Sequence, residues 1–257
     1  MLWQIVDTPH RILGSFHVRS ENSPLPRWAA TSHHGMERFV FEADVLKQPL
    51  TIGLDTSGAH LAFPGAAQMY ARTDAFLRAM GFTDTFAAYQ PWRAAMYVGL
   101  RMIQHHGFSD EAGIDRLLRN HADQKGFRAS FLESPVRAFE ILHSACSEPK
   151  EGLRYLERTL SDALSGRFHS EFQRCLNAWL ANDLSDLAAI HQEKMVEFPA
   201  VFEAFITKRN REWVPVARRL IPDKKPTLFV VGALHTVGSE SFLDLLNREG
   251  NQFARLS

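Results

Sequence analysis

Two histidines, His17 and His235, each stand three residues after a glycine that closes a short apolar run, in Gly14-Ser15-Phe16-His17 and Gly232-Ala233-Leu234-His235. Imidazole can hold a metal ion or carry a proton near neutral pH. The spacing alone carries little weight. With 15 Gly and 12 His in 257 residues, roughly one Gly-x-x-His arises from composition by itself. A third copy, Gly166-Arg167-Phe168-His169, lies in a polar stretch between helices and reads as chance. The other two share a context. Each glycine ends a run of the kind that forms a buried strand, where glycine allows a tight turn or close backbone approach. The histidine is then thrown out at the strand tip.

Two imidazoles that hold an ion need an acid beside them. The stretch Phe41-Glu42-Ala43-Asp44 follows another apolar run, and a carboxylate at the end of a buried strand is costly unless a cation or hydrogen bonds partner it. Glu42, nearer the strand, is the better ligand; Asp44 reads as a loop acid. Two neutral imidazoles and a carboxylate suit Mn²⁺, Co²⁺ or Zn²⁺, and open positions on the ion would activate a water as nucleophile. A further feature is Arg209-Asn210-Arg211-Glu212-Trp213. On a helix, Arg209 and Trp213 share a face, with Phe205 one turn earlier. Arginine on an apolar stripe needs a partner. It is either paired structurally with a carboxylate, or an electrophilic clamp on a carbonyl or carboxylate with Asn210 orienting. The candidate catalytic set is therefore His17, Glu42, Arg209, Asn210 and His235, with His17, Glu42 and His235 as metal ligands.

Other polar clusters weigh less. Neighbouring histidines on a helix, as in His33-His34 and His105-His106, point about a quarter-turn apart, so one ion rarely takes both. Arg218-Arg219 and Lys224-Lys225 read as solvated faces, and Tyr89 and Trp92 as core aromatics.

The elements that must position these residues differ along the chain. Residues 2–6, 11–14, 38–42 and 226–232 are short apolar runs bounded by turn formers, as strands are. From about 64 to 221 the apolar spacing is helical, with stops at Gly81, Gly166 and Asn182-Asp183 and a start at Ser109-Asp110. A helix is expected near 27–36, another over 239–248 with Ser239 as its cap, and a final short strand after Gly250. The expected fold class is α/β (α+β). It is one domain over residues 1–257, with two sheet-forming halves, 1–60 and 222–257, each carrying a strand–Gly-x-x-His–helix–strand unit. A large, mainly helical insert, 61–221, joins them. Two such lobes, related by rough symmetry, would bring both histidines to one cleft at the carboxyl ends of the strands.

Composition narrows the partners. Lys+Arg and Asp+Glu balance at 29 each, which removes the electrostatic argument for nucleic acid. Cys146 and Cys175 are too few for a disulfide framework. No apolar run reaches the length of a membrane span. No leader with a basic region and an apolar core is visible, so the expected location is cytoplasmic, or an exported mature form if a leader has been removed. The expected partner is a peptide or small-molecule substrate.

Taken in order, Leu2-Trp3-x-Ile5, Leu13-Gly14-Ser15-x-His17, Phe41-Glu42-x-Asp44, Gly113-Ile114-Asp115, Leu132-Glu133, Trp179, Arg209-Asn210-x-x-Trp213 and Gly232-Ala233-x-His235-x-x-Gly238 resemble the TraB/PrgY/GumN family over essentially the whole chain. Each motif is short; their order and spacing make the combination specific. The resemblance implies an α/β fold with paired Gly-x-x-His motifs around a cleft. For the animal TIKI members it implies proteolysis dependent on Mn²⁺ or Co²⁺, with His17, His235 and Glu42 matching the active-site residues. Arg209 and Asn210 match the Arg-Asn motif, whereas Asp115 and Glu133 match positions to which spacing assigns no role. There are two departures. Many bacterial GumN-like members carry an export leader, and Ser15 stands where Thr is frequent, which keeps the hydroxyl. A more distant resemblance to erythromycin esterase-like and haem-binding ChaN-like proteins implies two rivals: a metal-independent esterase with a histidine base, and a non-catalytic haem- or peptide-binding protein. The leading expectation is a metal-dependent hydrolase of amide or peptide bonds, with Arg209 and Asn210 stabilising the oxyanion.

Overall fold

The run Thr227-Leu228-Phe229-Val230-Val231-Gly232 has no alternation, as suits a strand covered on both faces. It forms β5 (Thr227–Gly232), buried at every position. The computed structural model describes residues 1–44, 54, 55, 57–146 and 148–256. The other strands are β1 (Leu2–Ile5), β2 (Arg11–Ser15), β3 (Arg38–Phe41), β4 (Arg128–Phe131) and β6 (Phe253–Arg255). They make one six-stranded sheet of order β4-β3-β5-β2-β1-β6. The strands β4, β3, β5 and β2 run parallel, while β1 is antiparallel to both β2 and β6.

The two expected lobes are therefore not separate. The second half inserts β5 between β2 and β3 of the first. Nor are the two units equivalent, since β3 lies beside β5 in parallel whereas β6 reaches β1 at the far edge, antiparallel. The register explains how the cleft forms. Ser15 pairs with Gly232 and Phe41 with Val230, so the chain leaves β2, β3 and β5 at nearly the same level. The turns after β2, β3 and β5 consequently meet at one end of the sheet.

Helices occupy most of the middle: α1 (Arg27–Ala30), α2 (Ala66–Ala79), α3 (Pro91–His105), α4 (Ile114–Gln124), α5 (Pro135–Ala145), α6 (Pro149–Leu164), α7 (Arg167–Ala181), α8 (Leu184–Glu197), α9 (Pro199–Phe202), α10 (Arg209–Leu220) and α11 (Phe242–Arg248). Several boundaries differ from the sequence expectation. The helix expected over 27–36 stops at Ala30, where Thr31 Oγ1 and Ser32 Oγ donate to the carbonyls of Arg27 and Ala29. Such local side-chain bonds compete with helical propagation. The start of α4 is Gly113, not Ser109-Asp110. The cap of α11 is Ser241, whose hydroxyl accepts from the Asp244 N–H at 3.1 Å, and not Ser239. The insert also contributes β4 to the sheet, and between α9 and α10 it winds into a π-helix, Glu203–Lys208.

The main core joins the sheet residues Ile12, Leu13, Phe39, Phe41 and Leu228–Val231 to Trp179, Trp213 and Phe242 from the helices. Trp179 is fully buried, and its indole N–H donates to the Gly14 carbonyl at 2.9 Å, which ties α7 to the end of β2. Among the described residues, no helix is long and apolar enough to cross a membrane.

Candidate active site

At the carboxyl end of the parallel strands, His17, Glu42 and His235 converge. Nε2 of His17 and Nε2 of His235 each lie 3.7 Å from the same oxygen, Oε1 of Glu42. That oxygen accepts the Gly232 N–H at 2.6 Å. A Cβ on Gly232 would stand 2.9 Å from His17 Nε2, 3.2 Å from Glu42 Oε1 and 3.4 Å from His235 Cδ2. The absence of a side chain at this glycine is thus what lets the three groups meet. Its φ of −56° is ordinary; the need is for space.

Each ring is held from behind. His17 Nδ1 lies 2.9 Å from Oδ2 of Asp115, in the first turn of α4. His235 sits in a 3-10 turn, Ala233–Thr236, with Nδ1 2.7 Å from Asn210 Oδ1. Because Asn210 Nδ2 donates to the Glu240 carbonyl at 2.9 Å, its oxygen faces His235. Nδ1 of His235 therefore carries the proton and Nε2 a lone pair. The two histidines differ in access: His235 is 3% exposed, whereas the His17 side chain is 53% exposed and forms the open flank of the site.

Arg209 begins α10, directly after the π-helical turn. Its Nε donates to Glu133 Oε1 at 2.9 Å, and Nη2 donates to Glu133 Oε1 and Glu42 Oε2, both at 2.6 Å. Nη1 donates to the Phe205 carbonyl at 3.1 Å and faces His235 Nε2 at 3.4 Å. A guanidinium has five N–H donors; four are spent on Glu133, Glu42 and the Phe205 carbonyl, and the fifth points towards His235. The group also covers Trp213, 4.6 Å above its ring, and Trp213 packs on His235 with centroids 4.4 Å apart.

The electrostatics follow from these contacts. Burial would raise the Glu42 carboxyl, but Arg209 and the Gly232 N–H outweigh it and hold the group far below the usual carboxylate range. Burial lowers His235 to about 3 and keeps it neutral. Asp115 draws His17 upward against the opposing effect of desolvation. Solvent on its open flank screens that pull. Glu133 is raised by burial despite Arg209, and its Oε2 faces the Trp213 indole without closing a hydrogen bond of good geometry.

Asp44, read as a loop acid, is buried and accepts from Arg119 at 2.8 Å. His33 meets His34 and His121 at ring distances of 4.7 and 4.3 Å, and His106 stacks on His169 at 3.8 Å. The first two are edge-on or tilted and the last is stacked, and among the described residues none belongs to a group of three or more that could hold a metal ion. Gly166 of the third Gly-x-x-His caps α7 at φ +77°. The contacts of Ser15, Asp115, Glu133 and the Gly232 N–H escaped sequence reasoning, as did His191 of α8, packed against Gly238 so closely that a Cβ there would lie 2.8 Å from its ring. The motifs in which these residues stand were the available signal, without a role attached. Among the described residues no group of three or more His, Cys, Asp and Glu side chains forms a ready-made metal cage.

Neither a curated protein nor a solved structure matches this chain. A family model does, over residues 1–255, and with paired Gly-x-x-His turns meeting across one sheet the chain belongs to the TraB/PrgY/gumN family.

Proposed function

We propose that this protein is a metal-dependent hydrolase of amide or peptide bonds, with His17, Glu42 and His235 as the ligands of a divalent ion, Mn²⁺ or Co²⁺ first and Zn²⁺ as an alternative. The observation that carries the reading is the convergence of two Nε2 atoms on one Glu42 oxygen, each ring anchored through Nδ1. Metal-bound histidines commonly use the second nitrogen in this way. The separations of 3.7 Å between each Nε2 and Glu42 Oε1 would let the three groups share one ion after a small approach. The donor set fits. An ion held there would act as a Lewis acid and supply an acidified water as nucleophile.

The chain's own residues have distinct tasks. Gly232 keeps the meeting point clear and its N–H orients Glu42. Arg209 keeps Glu42 ionised and fixes its second oxygen. The oxyanion role expected of Arg209 and Asn210 gives way to a holding role, because four of the five donors of Arg209 are spent on Glu133, Glu42 and the Phe205 carbonyl and Asn210 is fully buried between His235 and Glu240. Substrate approaches from the open His17 flank, where a peptide or small acyl compound could reach the cleft.

A second reading is favoured by one observation, the His17–Asp115 pair, which is the arrangement of a general base working without metal. Hydrolysis of peptide and ester substrates by protein stripped of metal separates the two. The metal reading expects activity to vanish on exhaustive chelation and to return with Mn²⁺ or Co²⁺. Full activity after chelation refutes it and leaves the histidine base; no hydrolysis in either form refutes both.

A further inference from the structure

Asp115 takes no part in the proposed hydrolysis beyond touching His17, yet it is 4% exposed and both its oxygens are committed. Oδ2 faces His17 Nδ1 at 2.9 Å, and Oδ1 accepts the Ser15 hydroxyl at 3.0 Å. We propose that Asp115 is a positioning residue that fixes His17 with Nδ1–H inward and Nε2 turned to Glu42, and that Ser15 locks the carboxylate for this task. The inference rests on the reading of His17, Glu42 and His235 as a ligand set.

The backbone around Asp115 is built for the contact. Gly113 approaches so closely that a Cβ there would lie 2.0 Å from the His17 carbonyl oxygen, and the Ile114 N–H donates to the Phe16 carbonyl at 3.2 Å. The first turn of α4 is thus clamped to the segment that carries His17, and Asp115 has one place to reach. His17 needs such a hold more than His235 does. Half its side chain faces solvent, where a ring without a partner samples several rotamers. His235 is confined by Trp213 and by burial, and a neutral amide suffices to orient it. An acid behind His17 does more than orient, since it also raises the basicity of the ring's outer nitrogen. Ser15 closes the arrangement from the last residue of β2, beside Gly232 in the register.

The alternative is that Asp115 is only a favourable acid in the first turn of α4. Asp115→Asn, nearly the same shape, distinguishes them through Mn²⁺ binding by titration calorimetry, with circular dichroism and thermal unfolding in parallel. Positioning expects affinity to fall about 10- to 100-fold with the fold retained, while His17→Ala loses binding altogether. A lower melting temperature with unchanged Mn²⁺ affinity overturns the proposal. If the wild-type protein takes up neither Mn²⁺ nor Co²⁺, it is the metal reading that has failed. The role of Asp115 is then read from long-range ¹H–¹⁵N spectra of the wild-type protein, at a pH alkaline enough to neutralise the ring. An Nδ1–H tautomer at His17 supports the positioning, and an Nε2–H tautomer overturns it.

Discussion

Replacing Gly232 by alanine would put one methyl group at the point on which His17, Glu42 and His235 converge. The backbone tolerates the change, since φ −56° and ψ 143° are open to any residue. The unfolded chain loses some freedom, which favours the variant by about 0.4–1 kcal/mol. The cost is steric. The methyl carbon would lie 2.9 Å from His17 Nε2, 3.2 Å from Glu42 Oε1 and 3.4 Å from His235 Cδ2. Glu42 is pinned by Arg209 and by the Gly232 N–H, and His235 by Asn210 and Trp213, so His17 must yield. Restoring an ordinary contact of about 3.5 Å moves its ring by about 0.6 Å, which disturbs its 2.9 Å contact with Asp115 behind it. Overpacking of this kind costs about 1–3 kcal/mol. After the backbone gain, a net loss of about 1–2 kcal/mol lowers the melting temperature by about 2–8 °C. The functional loss should be far larger, because a misplacement near 1 Å costs about 10²-fold in rate. Thermal unfolding, Mn²⁺ titration and hydrolysis of a peptide substrate, run on one preparation, give the comparison. A folded variant with undiminished metal affinity and rate refutes the idea that these three groups act at a common point.

Arg209→Met leaves Glu42 and Glu133 as buried carboxylates without their cation, and should cost about 3–5 kcal/mol in urea unfolding. Adding Glu133→Gln should recover part of this, and a single-variant loss below about 1 kcal/mol would contradict the network. The buried, neutral His235 makes stability pH-dependent. The unfolded chain takes up its proton below about 6.5, while the folded state resists until about 3. The contribution is therefore complete above about 6.5 and drains away as pH falls towards about 3. At about 1.4 kcal/mol per pH unit, acidifying from about 6.5 to about 4.5 should cost the wild-type protein about 2–3 kcal/mol more than His235→Gln; parallel stability curves would sink this account. Trp179→Phe removes the donor to the Gly14 carbonyl and should cost about 1–3 kcal/mol, whereas a change of a few tenths in chemical unfolding would show that bond to be incidental.

The strands that carry the histidines were readable because unalternating apolar runs between turn formers leave few alternatives. Their neighbours were not. Periodicity reports which face of an element is buried and not what lies beside it, so the insertion of β5 between β2 and β3 had no local trace. The same limit separates Glu42 from Asp115. Glu42 follows a strand tip and could be singled out by its position, whereas Asp115 lies in the first turn of a helix, 98 residues from His17, and meets it only through the clamp at Gly113. Arg209 shows a different failure. Its helical face was foreseen, but its donors could be counted only once Glu133, Glu42 and the Phe205 carbonyl were in place. The π-helix before it escaped because one extra residue per turn hardly disturbs an apolar stripe. At α11 two serines competed, and Ser241 with Asp244 three residues on holds the better capping geometry. The strand β4, four residues beginning at the exposed Arg128, offers too short a pattern to separate from a loop.

The central place of β5 in the sheet also orders events in time. The strands β2 and β3 do not touch each other; each pairs with β5, which is made after all the large helices. The N–H that holds Glu42 comes from a residue 190 positions later, and the arginine that neutralises it from one 167 positions later. At a synthesis rate of about 5–20 residues per second, Glu42 waits roughly 10–40 s for both partners. Until then the cleft does not exist, and a nascent chain carries His17 and Glu42 without the partners that bring them to one point. Assembly of the sheet is thus itself the safeguard: the site becomes complete only in a chain that has finished folding.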